Sequence, residues 1–217
     1  MFFFKRKRPK FYGLDELDRR IAEHVAEDAG TFVELGAFDG ISQSNSLHFE
    51  EKGWRGVLIE PVPSSFEACR KNRPLARVFN CACVPFGQEG PVTINDVGLM
   101  STIQGAMGAR EPEWLERGAG FAGHAPVATQ VPGRTLTAVL DEAGIQRVDL
   151  LLLDVEGFEI PVLNGLAFDR LAPTWIVAED SYEDDLRQFI AGKGYEIVAT
   201  LSERRFTRDT LFKKQRT

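Results

Sequence analysis

Apolar and polar positions along this chain switch between a helical and an extended period, and the switches mark out an α/β protein. Leu14, Leu17, Ile21 and Val25 recur at helical spacing, which predicts an amphipathic helix over 14–28. The apolar run 31–35 reads as a first strand, followed by a helix over 44–52 and a second strand over 56–60. Ser64-Ser65-Phe66-Glu67 has the form of a capping box, with Ser64 bonding the third helical amide and Glu67 reaching back; it opens a helix to about Asn72. Residues 77–83 read as a third strand and 91–95 as a short hairpin strand, while 127–131 is extended. Thr135 is placed to cap a helix that runs to about Ala143 and stops at Gly144. The almost unbroken apolar run 148–153 suits a central parallel strand buried on both faces. A helix over 160–166, a buried strand over 175–178 and a helix over 184–193 stopped by Gly194 follow. Two strands, 195–201 and 210–213, close the chain as an antiparallel pair. Alternation of this kind gives a mostly parallel sheet with helices on both faces.

One stretch breaks the rhythm. Residues 98–126 carry Gly98, Gly105, Gly108, Gly118, Gly120 and Gly123 with little periodicity. A long irregular segment inside a compact domain is a functional loop or a disordered one. It is read here as an insertion covering the substrate side, with partial disorder as the alternative. The expected organisation is an N-terminal arm and helix over 1–30 and one domain over 31–217.

Composition narrows the partners. A length of 217 residues and 43% hydrophobic content suit one soluble domain, and a net charge of −6 argues against nucleic acid, whose binding runs on clustered Lys and Arg. Cys69, Cys81 and Cys83 show no metal-like spacing and leave an odd count, which points to reduced thiols and a cytoplasmic setting. The start, Met1-Phe2-Phe3-Phe4-Lys5-Arg6-Lys7-Arg8-Pro9-Lys10, is basic and aromatic but too short in apolar length for a signal peptide or a membrane span. It is read as a flexible or packed arm, weak contact with an anionic membrane surface being the alternative.

The chemistry concentrates at strand ends. The first predicted strand leads through Glu34 into a turn with Gly36 and Gly40, and the second ends in Glu60. In doubly wound proteins the first such loop lets backbone approach a nucleoside-bearing ligand, and the second acid takes the ribose hydroxyls. A dinucleotide fingerprint would carry a third glycine for a pyrophosphate. Here Glu34 and Asp39 flank the turn instead, and carboxylates repel phosphate while suiting a ligand with an ammonium and a sulfonium: S-adenosylmethionine. A tight turn that needs glycine and binds nothing is the plainer reading of the motif alone.

A second group of acids follows the apolar run 148–153. Asp154 sits at a strand end, and Glu179-Asp180 ends the next strand. If the strands are neighbours, Asp154, Glu179 and Asp180 converge, and hard oxygen ligands of this kind favour Mg²⁺ or a similar divalent cation that would activate an acceptor hydroxyl. The alternative is that Glu179 and Asp180 cap the next helix while Asp154 orients the cofactor. Glu156 is a candidate general base, or a partner for a neighbouring cation, as is Glu159. His124, in the irregular segment, is a second candidate base. His24 and His48 lie in helices and read as structural. Asn45 either bonds the cofactor carboxylate or caps its helix.

Taken in order, Phe32-Val33-Glu34-Leu35-Gly36-Ala37-Phe38-Asp39-Gly40, Ser44-Asn45, Trp54-Arg55-Gly56-Val57-Leu58-Ile59-Glu60-Pro61, Arg134-Thr135-Leu136, the run from Val148 to Glu159, and Val162-Leu163-Asn164-Gly165 resemble the FkbM family of S-adenosylmethionine-dependent methyltransferases. The resemblance runs from about Thr31 to Asp180. It implies a class I, Rossmann-like methyltransferase fold, a seven-stranded mostly parallel sheet with one antiparallel strand, and methyl transfer to oxygen on a sugar, glycan or natural-product-like hydroxyl. By the family pattern Glu34, Gly36 and Gly40 line the cofactor and Glu60 takes the ribose. Ala37, Phe38 and Asp39 on the same loop, Asn45 beyond it, Pro61 and Ala82 after the next strands, and Asp154 complete the expected cofactor set. Acids after two neighbouring strands hold a divalent metal in some related O-methyltransferases, and Asp154, Glu179 and Asp180 are similar. Two other functions stay open: an NAD-dependent oxidoreductase on a similar fold, and a binding domain without turnover.

Overall fold

The computed structural model describes residues 10–181 and 184–215; the basic aromatic arm up to residue 9 lies outside the described residues. After a 3₁₀ turn at Leu14–Glu16 the elements run α1 (Leu17–His24), β1 (Thr31–Leu35), α2 (Leu47–Glu51), β2 (Arg55–Ile59), α3 (Pro63–Asn72), β3 (Arg77–Phe79), β4 (Ala82–Cys83), β5 (Gly90–Asp96), β6 (Thr102–Ile103), α4 (Glu111–Ala122), β7 (Val127–Arg134), α5 (Leu136–Glu142), β8 (Leu150–Leu153), α6 (Glu159–Leu163), α7 (Phe168–Leu171), β9 (Trp175–Ser181), α8 (Asp185–Gly192), β10 (Tyr195–Glu203) and β11 (Thr207–Lys214).

Seven strands form the main sheet in the order β10-β11-β9-β8-β1-β2-β3. β3, β2, β1, β8 and β9 are parallel to one another, and β11 runs antiparallel to both β9 and β10. Because side chains alternate along a strand, each parallel strand feeds two cores. Val33, Leu35, Val57, Ile59, Leu151, Leu153 and Ile176 face α5, α6 and α8. Phe32, Leu58, Leu150, Leu152 and Val177 face α1, α2 and α3. The expected doubly wound sheet is therefore present, with β8 buried at every position. Among the described residues no helix is long and apolar enough to cross a membrane.

Several local expectations are corrected. The helix over 14–28 shortens to α1, because Asp15 and Glu16 take left-handed backbone (φ 53° and 57°) and break its start. The capping box at Ser64 does not form. Pro63 occupies the first helical position, where a missing N–H costs nothing, so the helix begins two residues earlier with Val62 as its uncapped lead-in. Glu67 bonds Arg70 one turn on instead. Thr135 does cap its helix, accepting from the Ala138 amide at 3.1 Å. The third strand is split. β3 stays in the main sheet, while β4 joins a second, four-stranded sheet of order β4-β7-β5-β6. Residues 98–126 are not irregular throughout, since α4 fills Glu111–Ala122. Gly118 lets α4 lie close to Val97 and Met100, where a Cβ would run 2.6 Å from a Val97 methyl.

A buried polar network braces the loop after β1. Glu34 accepts from the Ser44 and Ser46 hydroxyls (3.1 and 2.6 Å) and the Asn45 amide (2.7 Å). Arg73, fully buried at the end of α3, donates to the same two hydroxyls, to the Gly40 carbonyl at 2.9 Å, and to Glu50. Removing one partner of such a pair leaves charge buried without a counterpart, at a cost of ~3–5 kcal/mol. Arg73→Ala is accordingly expected to lower the unfolding free energy by about that amount, read as a lower urea midpoint at unchanged slope.

Candidate active site

The sheet reverses direction at β1: β2 and β3 lie to one side, β8 and β9 to the other. Ligands of open α/β sheets bind in the crevice outside the carboxyl ends of strands at such a point. A cavity of about 780 Å³ opens there, lined by residues 34–38, 59–61, 81–83 and 152–156 together with Asn45 and Glu179. Glu34, Gly36, Ala37, Phe38, Asn45, Glu60, Pro61, Ala82 and Asp154 are thus brought together. Asp39 and Gly40 are not. The Asp39 carboxylate folds back onto the amides of Ile41 and Ser42 (2.8 and 2.7 Å), and Gly40 makes room for Arg73 and Cys69 behind the loop.

The loop is held close to its neighbours. Gly36 has φ 78°, and a Cβ on it would run into the Asp154 carbonyl oxygen. Its amide bonds the Ile59 carbonyl at 3.1 Å, tying β1 to the end of β2. Glu60 is buried and accepts from the amides of Phe38 and Val62, both at 2.8 Å. Burial pushes its carboxyl up to about 7. Phe38, Gln43 and Glu156, all on the cavity wall, hold positive φ without being glycine (47°, 58° and 53°), a strain that persists where surrounding structure fixes the backbone. Asn45 Oδ1 is buried with no hydrogen-bond partner among the described residues.

The acids gather differently from the expectation. One carboxylate oxygen from each of Asp154, Glu156 and Glu179 lies within 4.8 Å of the others. Asp180 is excluded from this cluster, because successive side chains on β9 point to opposite faces. It is buried on the α8 side between Arg187 (3.2 Å), Arg208 (2.6 Å) and Thr210 (2.5 Å). His124 is also placed elsewhere: it is exposed after α4, bonded to the Ala125 carbonyl, and lines a separate shallow depression. Glu179 accepts from Thr207 (2.8 Å) and Arg204 (3.2 Å). Asp154 faces the open cavity, yet the protein around it strips its hydration, and the negative charges of Glu179, Asp209 and Glu159 add to the effect; its carboxyl is raised well above the usual range. Glu156 is raised for the same reasons, burial first and Asp154 next, with Arg117 opposing. Glu159 stands apart from the cluster. It caps the turn after β8, accepting from the amides of Val155 and Gly157, and burial raises it to about 7.

The sequence profile of the methyltransferase FkbM domain matches residues 34–197. The chain belongs to the FkbM methyltransferase family. It is an S-adenosylmethionine-dependent methyltransferase with the class I fold. Solved structures agree on the fold. A ribosomal protein L11 methylase from Lactobacillus delbrueckii subsp. bulgaricus is 11% identical, with TM-score 0.50 over 93% of this chain and 79% of that one. A proposed methyltransferase, yhhF, from Escherichia coli is 12% identical, with TM-score 0.52 over 96% and 90%. A proposed methylase from Haemophilus influenzae is 9% identical, with TM-score 0.53 over 95% and 92%. No curated protein matches the chain.

Of two further walls of this FkbM-family cavity, the first falls in the insertion expected on the substrate side, though its residues were not named, and the second was not foreseen. The first is the segment 98–103 with Trp114, Arg117 and Phe121 of α4; the second is the β10–β11 hairpin with residues 204–207 and Asp209. The signals for α4 were present: Pro112 in its first turn beside Glu111 and Glu113, and Gly123 at its end in left-handed conformation. Interior Gly118 and Gly120 obscured them. Thr102 Oγ1 donates to the Glu156 carbonyl at 3.0 Å, so the insertion is bonded to the acid-bearing loop. Arg73, Cys81 and Cys83 were also missed as site-forming residues.

Glu60 yields a pH test. Its folded-state pKa near 7 makes it largely neutral at pH 6 and largely ionised at pH 8. With Glu60 as the ribose ligand, the form able to accept from two ribose hydroxyls is the ionised one, and S-adenosylhomocysteine is then expected to bind about tenfold more tightly at pH 8 than at pH 6. Calorimetry should show that dependence in the wild type and its loss in Glu60→Gln.

Proposed function

We propose that this protein methylates an oxygen of a hydroxyl-bearing acceptor: a sugar, a glycan or a small natural-product-like molecule. The observation that carries the reading is the group Asp154, Glu156 and Glu179, gathered on the cavity floor beside the Gly36 loop. S-adenosylmethionine, when bound, supplies an electrophilic methyl group on a sulfonium. The chain's own residues would do the rest. Gly36 admits the ligand against backbone; each Glu60 oxygen keeps a lone pair for a ribose hydroxyl; Pro61 and Ala82 offer an apolar wall. Asn45 lies on the same wall with its side-chain oxygen buried toward Gly13.

Glu156 is the residue best placed to take the acceptor proton. A general base works best with a pKa near the operating pH, and burial among acids raises this one from below. It stands between Asp154 and the insertion, where the acceptor would enter. Asp154, next to the Gly36 loop, would orient the cofactor and oppose its charge. Expected in a labelled-methyl assay is label on acceptor oxygen, with Glu156→Gln slowing turnover at least ~10²-fold while S-adenosylhomocysteine still binds. Label on nitrogen or carbon, or a fully active Glu156→Gln enzyme, would remove this reading. Binding without turnover of any hydroxyl acceptor would favour a non-catalytic domain.

The mutual proximity of the three carboxylates favours a metal-assisted variant of the same reading. Their oxygens form a hard donor set that fits Mg²⁺ or a similar divalent cation. Such an ion would be held by Asp154, Glu156 and Glu179 and would supply Lewis acidity toward a hydroxyl. Arg204 on Glu179, and protons on the other two acids, are the competing means of relieving the repulsion. Loss of turnover in excess chelator and its return with Mg²⁺ is the result that metal assistance requires; full turnover in chelator leaves the carboxylates working alone.

A further inference from the structure

The cavity is lined by groups of both charges. Acids occupy its floor, whereas its outer walls carry Arg117, from α4, and Arg205, from the β10–β11 hairpin. Both arginines are exposed, and among the described residues neither guanidinium lies within ion-pair distance of a carboxylate. Each is instead set against aromatic rings. The Arg117 Cζ lies 6.0 Å from the Trp114 ring centre and 5.8 Å from that of Phe121; the Arg205 Cζ lies 4.8 Å from that of Phe206. Trp114, Arg117 and Phe121 share one face of α4 because they are spaced three and four residues apart. A guanidinium held over a ring keeps its in-plane N–H fork available, and that fork matches the two oxygens of a carboxylate or phosphate. In a chain of net charge −6, an anion gains a foothold only where positive charge is concentrated locally.

We infer that the acceptor is an anion, a hydroxyl-bearing molecule whose carboxylate or phosphate is held at the cavity mouth by Arg117 and Arg205 while its reactive hydroxyl reaches the floor at Asp154, Glu156 and Glu179. The inference rests on the acceptor-site reading above and narrows its substrate class. The aromatic rings beside the two forks give the body of the acceptor an apolar surface. A neutral acceptor would leave Arg205 without an opposite charge and Arg117 with only the distant influence of Glu156.

The test uses the whole chain saturated with S-adenosylhomocysteine. Benzoate, phenyl phosphate and the neutral benzyl alcohol are titrated into it by calorimetry at fixed ionic strength. At least one anion is expected to bind about tenfold more tightly than the alcohol, as charge-assisted bonds require. The better of the two names the anionic group. Arg117→Ala and Arg205→Ala should each remove most of that preference, and Arg117→Lys should restore part of it, since charge returns without the fork. Melting curves confirm that the variants fold; their exposed positions make this expected. Equal binding of anions and alcohol, no anion binding, or anion binding unchanged in both alanine variants overturns the inference while leaving methyl transfer standing. A wild-type chain that fails to bind S-adenosylhomocysteine removes the methyl-transfer reading, and this one with it.

Discussion

The active site depends on one backbone contact: the turn after β1 passing directly against the carbonyl of Asp154 at the end of β8. Parallel pairing of β1 with β8 puts their carboxyl ends side by side. A side chain at residue 36 would fill the gap, and the left-handed backbone there is accessible to glycine at little cost. With that approach allowed, the chain turns away from the sheet on both sides, leaving the crevice that the cavity occupies. The bond from the Gly36 amide to Ile59 then fixes the loop against β2, so three strand ends share one wall.

Acids around this crevice divide by whether anything donates to them. Glu34, Asp39, Glu60, Asp180 and Glu159 each accept hydrogen bonds from backbone amides, hydroxyls or arginines, so they serve as braces. Asp154 and Glu156 accept none among the described residues and face other acids instead. Unpaired carboxylates in a confined space hold their protons to higher pH, and each must release its proton before it acts as a base or holds a cation. Residue type alone does not separate the two groups; their surroundings do.

The outer part of the cavity is built by the second sheet and by the antiparallel edge of the first. β5 and β7 pair along their length and carry between them the segment that includes α4, while the β10–β11 hairpin rises on the other side. The Thr102 bond to Glu156 makes the first of these part of the acid-bearing loop. The outer lining of the cavity therefore comes from elements that the parallel core does not specify.

Sequence periodicity alone determined a mostly parallel sheet with two buried faces, because alternation and apolar runs are local records of burial; the count of seven strands came from the family resemblance. The strand-end motifs also pointed to Gly36, Glu60 and Asp154, which line one cavity, since doubly wound connections bring those strand ends together whenever the strands form. The sequence could not tell which way a side chain at a strand end points, and so grouped Asp180 with Glu179 although β9 sends them to opposite faces. It grouped Asp39 and Gly40 with the cavity because they follow Gly36 along the chain, and His124 because it lies in the insertion. The splitting of the third strand between two sheets, the helix hidden among glycines, and the pairing of Arg73 with Glu34's serines are decided by contacts between residues far apart in sequence. Such contacts leave no periodic trace, and only the packed chain fixes them.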